Sequence, residues 1–239
     1  MRTTSVNPTS EPPVLTRDVR QRDLVPVERL AECHALVIGV GAIGRQVALQ
    51  LAAIGMPRMT LFDDDLVAVE NLAPQGYWQE DLIVPKVAAT GAVCKRLNPA
   101  LRLSMIPERF KRTTVRALPT DRRLLAFVGV DSIQARRLLW EVLSPLVAFF
   151  VDGRMSAEVI RVLAVETPAK DQQYAATLFE PEQAYLGSCT AKSTIYTANI
   201  AAGLMLGQFT RWLRKLPVDS DLCLNLLSSE LTVAASALQ

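Results

Sequence analysis

Histidine is almost missing from this chain of 239 residues, which holds only His34. A Ser-His-Asp site would have to use that single imidazole, and a multi-histidine zinc site has no ligands. His34 stands at the entrance to an apolar run and reads as a packing residue. The four cysteines, Cys33, Cys94, Cys189 and Cys223, are far apart with no C-x-x-C pair, so no structural zinc is expected. An excess of one charge is lacking too. Lys and Arg number 26 against 24 Asp and Glu, giving a net charge of +2, and without a run of one sign the chain has no nucleic-acid footprint. The longest apolar stretches, "SPLVAFFV" and "IAAGLMLG", fall well short of the ~20 residues that cross a bilayer. Residues 1–16 have no apolar centre and cannot act as a secretory signal. The expectation is a soluble cytoplasmic protein with no membrane partner, a flexible leader over 1–16 and a single domain over 17–239.

What is present is a core: 50% of the residues are apolar. "ALVIGV" (35–40) is a β-branched run ended by glycine, as in a strand buried on both faces of a parallel sheet. The following "AIGRQVALQLAAIG" places Ile43, Val47, Leu51 and Ile54 at helical spacing and stops at Gly55. "RMTLF" reads as a second strand, ending in Asp63, Asp64 and Asp65. A helix should open at Lys86 and run through Leu97, and "LRLSMI", "RLLAFVGV", "LVAFFVDG" and "VIRVLAVE" read as further strands, with a helix from Ser132 to about Leu143 between the second and third of these. Strands alternating with helices predict an α/β fold with a mostly parallel, Rossmann-like sheet and flanking helices. Beyond Glu166 the alternation fails, and 167–190 reads as a long functional or mobile loop. A long helix is expected over 191–215, with Ala198, Ala201, Ala202 and Gly203 allowing close packing against the sheet or a second subunit.

Gly39, Gly41 and Gly44 follow a strand and open a helix, the setting in which G-x-G-x-x-G is meaningful. Asp63 falls nineteen residues after Gly44, close to the ~20 expected for a carboxylate that receives a ribose hydroxyl. A nucleotide site is the functional reading, and a tight turn without ligand is the alternative. NAD or FAD is the default nucleotide for this fingerprint.

The stretch after Asp63, "DDDLVAVENLAPQGYWQEDLIVPK", shifts that default. It supplies Asp63, Asp65, Val67, Asn71, Leu72, Gln75, Pro85 and Lys86 in an order that resembles the ThiF/MoeB/HesA adenylyltransferases, the superfamily that includes the adenylation domains of ubiquitin-activating enzymes. The resemblance extends over roughly residues 17–215. It implies a ThiF-type adenylation domain that uses ATP and Mg2+ to adenylate the C-terminal glycine of a ubiquitin-like or sulfur-carrier β-grasp protein. By the same resemblance Gly39, Gly41, Gly44, Asp63, Asp65, Asn71, Gln75 and Lys86 bind the nucleotide, with Lys86 also catalytic. "VGVDSIQARR" makes Asp131 the magnesium ligand and catalytic carboxylate, with Arg136 as its helical supporter. "RDVRQ" is similar to the family's N-terminal motif and implies that Arg20 reaches the ATP site of a partner in a homodimer. One position departs: the arginine of Asn-Leu-x-Arg-Gln is Pro74 here. Arg45 and the partner's Arg20 are the candidate replacement cations, a surface role for Arg45 being the alternative.

Cys189, in "GSCTAKST", is placed to take the activated acyl group as a thioester and pass it to a conjugating enzyme. The expected helix start and Lys192 would both stabilise its thiolate. The alternative is a half-buried cysteine in a helix cap supplied by Ser188 or Thr190. Cys33, Cys94 and Cys223 read as core. The missing C-x-x-C pairs favour ubiquitin-like conjugation over sulfur-carrier activation. An NAD-dependent dehydrogenase would leave Lys86, Asp131 and "RDVRQ" unexplained, and Pro74 keeps open a non-catalytic nucleotide-binding dimer.

Overall fold

The computed structural model describes residues 17–178 and 193–234. The expected leader and Cys189 both lie outside the described residues.

A short helix, α1 (Val27–Ala31), leads into β1 (Cys33–Ile38). Every residue of β1 is buried, which explains its lack of hydrophobic alternation: both faces of the strand are covered. Then come α2 (Ala42–Ala53), β2 (Arg58–Phe62), α3 (Val69–Gln75), α4 (Lys86–Leu97), β3 (Arg102–Ile106), β4 (Arg123–Val128), α5 (Ile133–Leu143), β5 (Phe149–Ser156) and β6 (Val159–Val165). A four-residue helix α6 (Gln173–Ala176), the long α7 (Ile195–Leu213), β7 (Asp221–Asn225) and β8 (Glu230–Val233) complete the described chain.

The eight strands form one sheet in the order β3-β2-β1-β4-β5-β6-β7-β8. The first five of these in space are parallel, and β6, β7 and β8 add on antiparallel. The predicted mostly parallel α/β sheet is therefore observed. Because β1 pairs β2 on one side and β4 on the other, the connections leave in opposite directions from β1 and open a crevice at its carboxyl end.

One face of the sheet is covered by α2, α4 and α7, with Val47, Leu51, Phe127, Phe149, Met205 and Phe209 in a common core. Ala198, Ala201 and Ala202 are fully buried there; their short side chains let α7 lie close to α2 and β5. Gly203, by contrast, is exposed. The other face is covered by α5, where Leu36, Phe150, Leu139, Trp140 and Tyr174 pack together. Trp140 meets Phe150 edge-on, with ring centroids 5.0 Å apart, a favoured aromatic geometry.

Three expectations are corrected. The expected loop over 167–190 contains a 3-10 turn at Pro168–Lys170 and then α6, tied down by the buried Tyr174. The long helix begins at Ile195, not near 191, and its cap is Thr194, whose hydroxyl accepts from the Thr197 amide. Cys223 lies half-buried on β7 and outside the core.

Candidate active site

The crevice at the carboxyl end of β1 widens into a cavity of about 930 Å³, at the upper end of the range for small-molecule sites. Strand ends supply its walls: Ile38 and Gly39 after β1, Phe62 to Asp65 after β2, Gly129 to Ser132 after β4, and Gly153 to Met155 on β5. Gln75, Lys86, Arg109, Phe110 and Ser193 close the remaining sides.

The three glycines of the loop do three different things. Gly39 has φ +81°, a left-handed conformation that residues with a Cβ rarely hold. Gly41 faces open space, so a ligand can approach its backbone. Gly44 lies against the chain: a Cβ there would stand 1.7 Å from the Gly39 carbonyl oxygen, so it fixes helix to strand and does not line the cavity. No side chain caps α2 at Gly41. Its first-turn N–H groups and positive dipole end are left for an anion.

Asp63 tightens this loop. Its Oδ2 accepts from the Val40 amide at 2.6 Å and its Oδ1 from the Asp65 amide at 2.9 Å. Burial pushes its carboxyl above the usual carboxylate range, against those hydrogen bonds and the nearby Lys86. Lys86, at the first position of α4, is buried with 6% of its surface exposed. Its Nζ reaches Asp65 Oδ2 at 2.8 Å. The acidic run after β2 thus holds a lysine in the cavity wall. The carboxylates of Asp63, Asp64 and Asp65 also lie within 4.8 Å of one another.

Asp131 is exposed on the cavity wall. Its backbone carbonyl accepts from Arg136 Nη1 at 3.1 Å, while its carboxylate makes no hydrogen bond or ion pair among the described residues. Mg2+ is commonly held by one or two carboxylates together with substrate phosphates. A free carboxylate opening on a nucleotide-sized cavity fits that ion. Arg136 supports Asp131 through this backbone contact alone; its ionic partner is Asp152, at 2.9 Å from Nε.

Of the expected nucleotide residues, Gly39, Gly41, Asp63, Asp65, Gln75, Lys86 and Asp131 come together on this one cavity. Others do not. Asn71 turns inward to its own helix, where Oδ1 accepts from the Ala68 amide at 3.0 Å and caps α3. Arg45 is neither a cavity cation nor a surface charge. It is 2% exposed, donates to Thr90 Oγ1 at 3.0 Å and to the Gly76 carbonyl at 2.9 Å, and lies over the Tyr77 ring. Its cation pins α2 to α4 and to the turn after α3. Arg20 is exposed and does not line the cavity of its own chain.

His34 is a packing residue, as expected. Its Nε2 is 2.8 Å from Thr60 Oγ1, and burial lowers its pKa. Burial also pushes the Cys33 thiol up to about 11 and the Cys94 thiol up to about 12. Neither is a nucleophile near neutral pH.

The sequence reading missed three wall features. Phe110 meets Phe62 edge-on at 5.2 Å between centroids, giving an apolar surface beside Asp63. Arg109 pairs with Asp64 at 2.8 Å. Arg154 donates from Nε to Asp152 Oδ2 at 2.7 Å. The signal for the last was an Asp and an Arg two residues apart in an otherwise buried run, which places them on one face of a strand.

Among curated proteins, an 83-residue stretch, 34% of this chain, is 34% identical to the sulfur carrier protein ThiS adenylyltransferase of Escherichia coli, covering 33% of that protein. The SAMP-activating enzyme E1 of Haloferax volcanii is 30% identical over 48% of this chain and 42% of its own length. The adenylyltransferase and sulfurtransferase MOCS3 of Sus scrofa is 38% identical over 40% of this chain, covering 21% of that protein. The matched stretches thus span a fifth to less than half of these relatives. Among solved structures, PaaA shares the fold with a TM-score of 0.75 at 17% identity, over 96% of this chain and 77% of its own. E. coli MccB with a bound succinimide gives 0.72 at 15%, over 91% and 70%. Residues 15–228 match the ThiF family, and the chain belongs to it.

Proposed function

We propose that this protein is an ATP-dependent adenylyltransferase that activates the C-terminal carboxylate of a small protein or peptide as an acyl adenylate. The observation that carries this reading is the convergence of Lys86, Asp63 and Asp131 with the Gly39–Gly41 turn on one cavity. Hydride transfer needs a ribose carboxylate and a glycine turn but gives no task to a buried lysine or to an unpaired Asp131. The ThiS, SAMP and MOCS3 relatives carry adenylyltransferase or activating-enzyme E1 names, and structures of MccB with ATP and with AMPCPP and MccA share the fold at TM-scores of 0.67 and 0.71.

In this reaction a carboxylate oxygen attacks the α-phosphorus of ATP, the bond from that phosphorus to the bridging oxygen breaks, and pyrophosphate departs with the electron pair. Two anions must approach each other, so the protein's task is positioning and charge neutralisation. The uncapped start of α2 and Lys86 hold phosphate oxygens. Asp63 receives the ribose hydroxyls, and Gln75 and the Phe62–Phe110 surface complete the nucleoside wall. Asp131 would hold Mg2+, which when bound neutralises polyphosphate charge. Arg20, remote from its own cavity, would enter that of a partner subunit in a homodimer.

The acyl substrate is a ubiquitin-like or sulfur-carrier protein in this reading, with conjugation favoured because the chain has no C-x-x-C pair. Cys33 and Cys94 are buried with raised thiol pKa values and Cys223 sits on β7, which does not line the cavity; Cys189 is the acceptor in this reading, for a thioester and for delivery to a conjugating enzyme.

ATP–pyrophosphate exchange tests the reaction. The full chain is assayed with proteins of both carrier types ending in Gly-Gly, and with MccA as the free-peptide arm. Exchange that depends on one of these carboxylates is expected. Absence of exchange with all of them, together with reduction of a nicotinamide by the same preparation, would replace adenylation by hydride transfer. The thioester is read separately. With the carrier that supports exchange and ATP, a thiol-labile band should form on a non-reducing gel and be absent in Cys189→Ser; equal bands in both proteins would remove Cys189 from the pathway.

A further inference from the structure

The cavity wall carries Lys86, Arg109, Arg136 and Arg154 against Asp63, Asp64, Asp65 and Asp131, so what distinguishes its ends is how these charges are partnered. Lys86 is matched by Asp65 and Arg109 by Asp64. At the β5 end the matching fails: Arg136 and Arg154 share a single carboxylate. Asp152 is fully buried, with Oδ1 at 2.9 Å from Arg136 Nε and Oδ2 at 2.7 Å from Arg154 Nε. The Tyr174 hydroxyl donates to the same Oδ2 at 3.0 Å. Two guanidiniums around one carboxylate and a neutral phenol make this the one place on the wall where two cations depend on the same anion.

Arg154 is the member of the cluster built to meet a further anion. Its guanidinium carries five N–H groups. Nε–H goes to Asp152, one Nη1–H to the Thr177 carbonyl at 3.0 Å, and one Nη2–H to Thr177 Oγ1 at 3.1 Å. Each terminal nitrogen keeps a second N–H, and the residue lines the cavity. The head is fixed from behind and unsatisfied in front. That is the arrangement of a preorganised oxyanion donor, which need not reorder when the ligand arrives.

A second observation marks the same end of the cavity for phosphate. Gly153, the residue before Arg154, packs on the first turn of α2: a Cβ placed there would lie 3.1 Å from Ile43 Cγ2. That first turn is uncapped, whereas the neighbouring α5 is capped by Ser132, whose Oγ accepts from the Ala135 amide at 3.2 Å. The free helix N-terminus and the half-free guanidinium therefore border one end of the cavity, beyond Asp63 and the aromatic surface.

Resting on the adenylation reading, we infer that Arg154 binds the polyphosphate oxygens of the nucleotide, held in place by Asp152 and Thr177. It touches substrate directly, and Asp152 acts as its positioning residue.

Calorimetric titration of the full chain with Mg–AMPCPP and, separately, with adenosine tests this. Wild type should bind both. Arg154→Gln should bind Mg–AMPCPP at least tenfold more weakly and adenosine unchanged, and Arg154→Lys should recover part of the loss. Equal weakening for the two ligands would make Arg154 a scaffold residue, and unchanged Mg–AMPCPP affinity would remove it from the site; either overturns the inference. Should Arg154→Gln fail to fold, the wild-type Arg154 Nε–H resonance, assigned by its absence in Arg154→Lys, must move on addition of inorganic pyrophosphate, and a stationary signal overturns it equally. If wild type binds neither ligand, the adenylation reading fails, a result distinct from loss of Arg154's role alone.

Discussion

Lys86→Ala is expected to lower ATP–pyrophosphate exchange by on the order of 10³-fold or more, a scale set by loss of a single preorganised transition-state donor in other enzymes and by removal of a cation from phosphoryl-transfer sites. The size follows from burial. Lys86 is 6% exposed, so its ammonium acts through a medium of low effective dielectric, where a charge counts for several times its value in water. Asp65 holds the ammonium at 2.8 Å but is itself 58% exposed at the side chain, so water screens the carboxylate more than the lysine. The ammonium is thus aimed without being neutralised. Lys86→Met keeps most of the buried volume and should lose as much activity as the alanine variant, with a melting temperature close to wild type. Exchange within tenfold of wild type in Lys86→Met would show that the lysine only packs the start of α4.

The parallel half of the fold was legible because its signals are local. Buried apolar runs marked β1 and β4, 3.6-residue periodicity marked α2, α4 and α5, and the glycine spacing with Asp63 at the next strand end marked the crevice. The antiparallel edge left no such trace. In β8 every residue is exposed, and β7 has only Leu222 buried, so neither alternates as a half-buried strand does. Arg45 was misread for a different reason. An arginine directly after a glycine turn has the right sequence position to face phosphate, but one turn of helix rotates it inward, onto Thr90, Gly76 and Tyr77. Those partners lie 31 to 45 residues away, and no local pattern announces them. Asn71 is the converse case, because its Oδ1 serves locally at the start of α3 and the residue stands off the cavity lining to which the motif assigns it. The start of α7 was placed too early since "AKST" is compatible with helix; Thr194 stops it by capping with its hydroxyl, the ordinary behaviour of threonine at that position.

Asp152→Ala is expected to destabilise the protein by about 3–5 kcal/mol, the range found when one partner of a buried ion pair is removed. The penalty is large because the carboxylate is fully buried and serves three donors at once, Arg136, Arg154 and the Tyr174 hydroxyl. Its loss leaves two guanidiniums facing each other without the anion between them. Burial is the main reason the Tyr174 phenol stands far above its ordinary value, and Asp152→Ala keeps that burial while removing the phenol's acceptor. Asp152→Asn keeps the shape but turns an acceptor oxygen into a donor beside a guanidinium, and it should fall close to the alanine variant. Urea unfolding of wild type and both variants measures this. A midpoint shift equivalent to under 1 kcal/mol in Asp152→Ala would mean that water reaches the cluster and that Arg136 and Arg154 are solvated independently. With the expected loss, Asp152 connects stability to chemistry, since the carboxylate that neutralises one guanidinium is also what holds the other at the cavity wall, and a fold that dispensed with it would release Arg154 from the nucleotide.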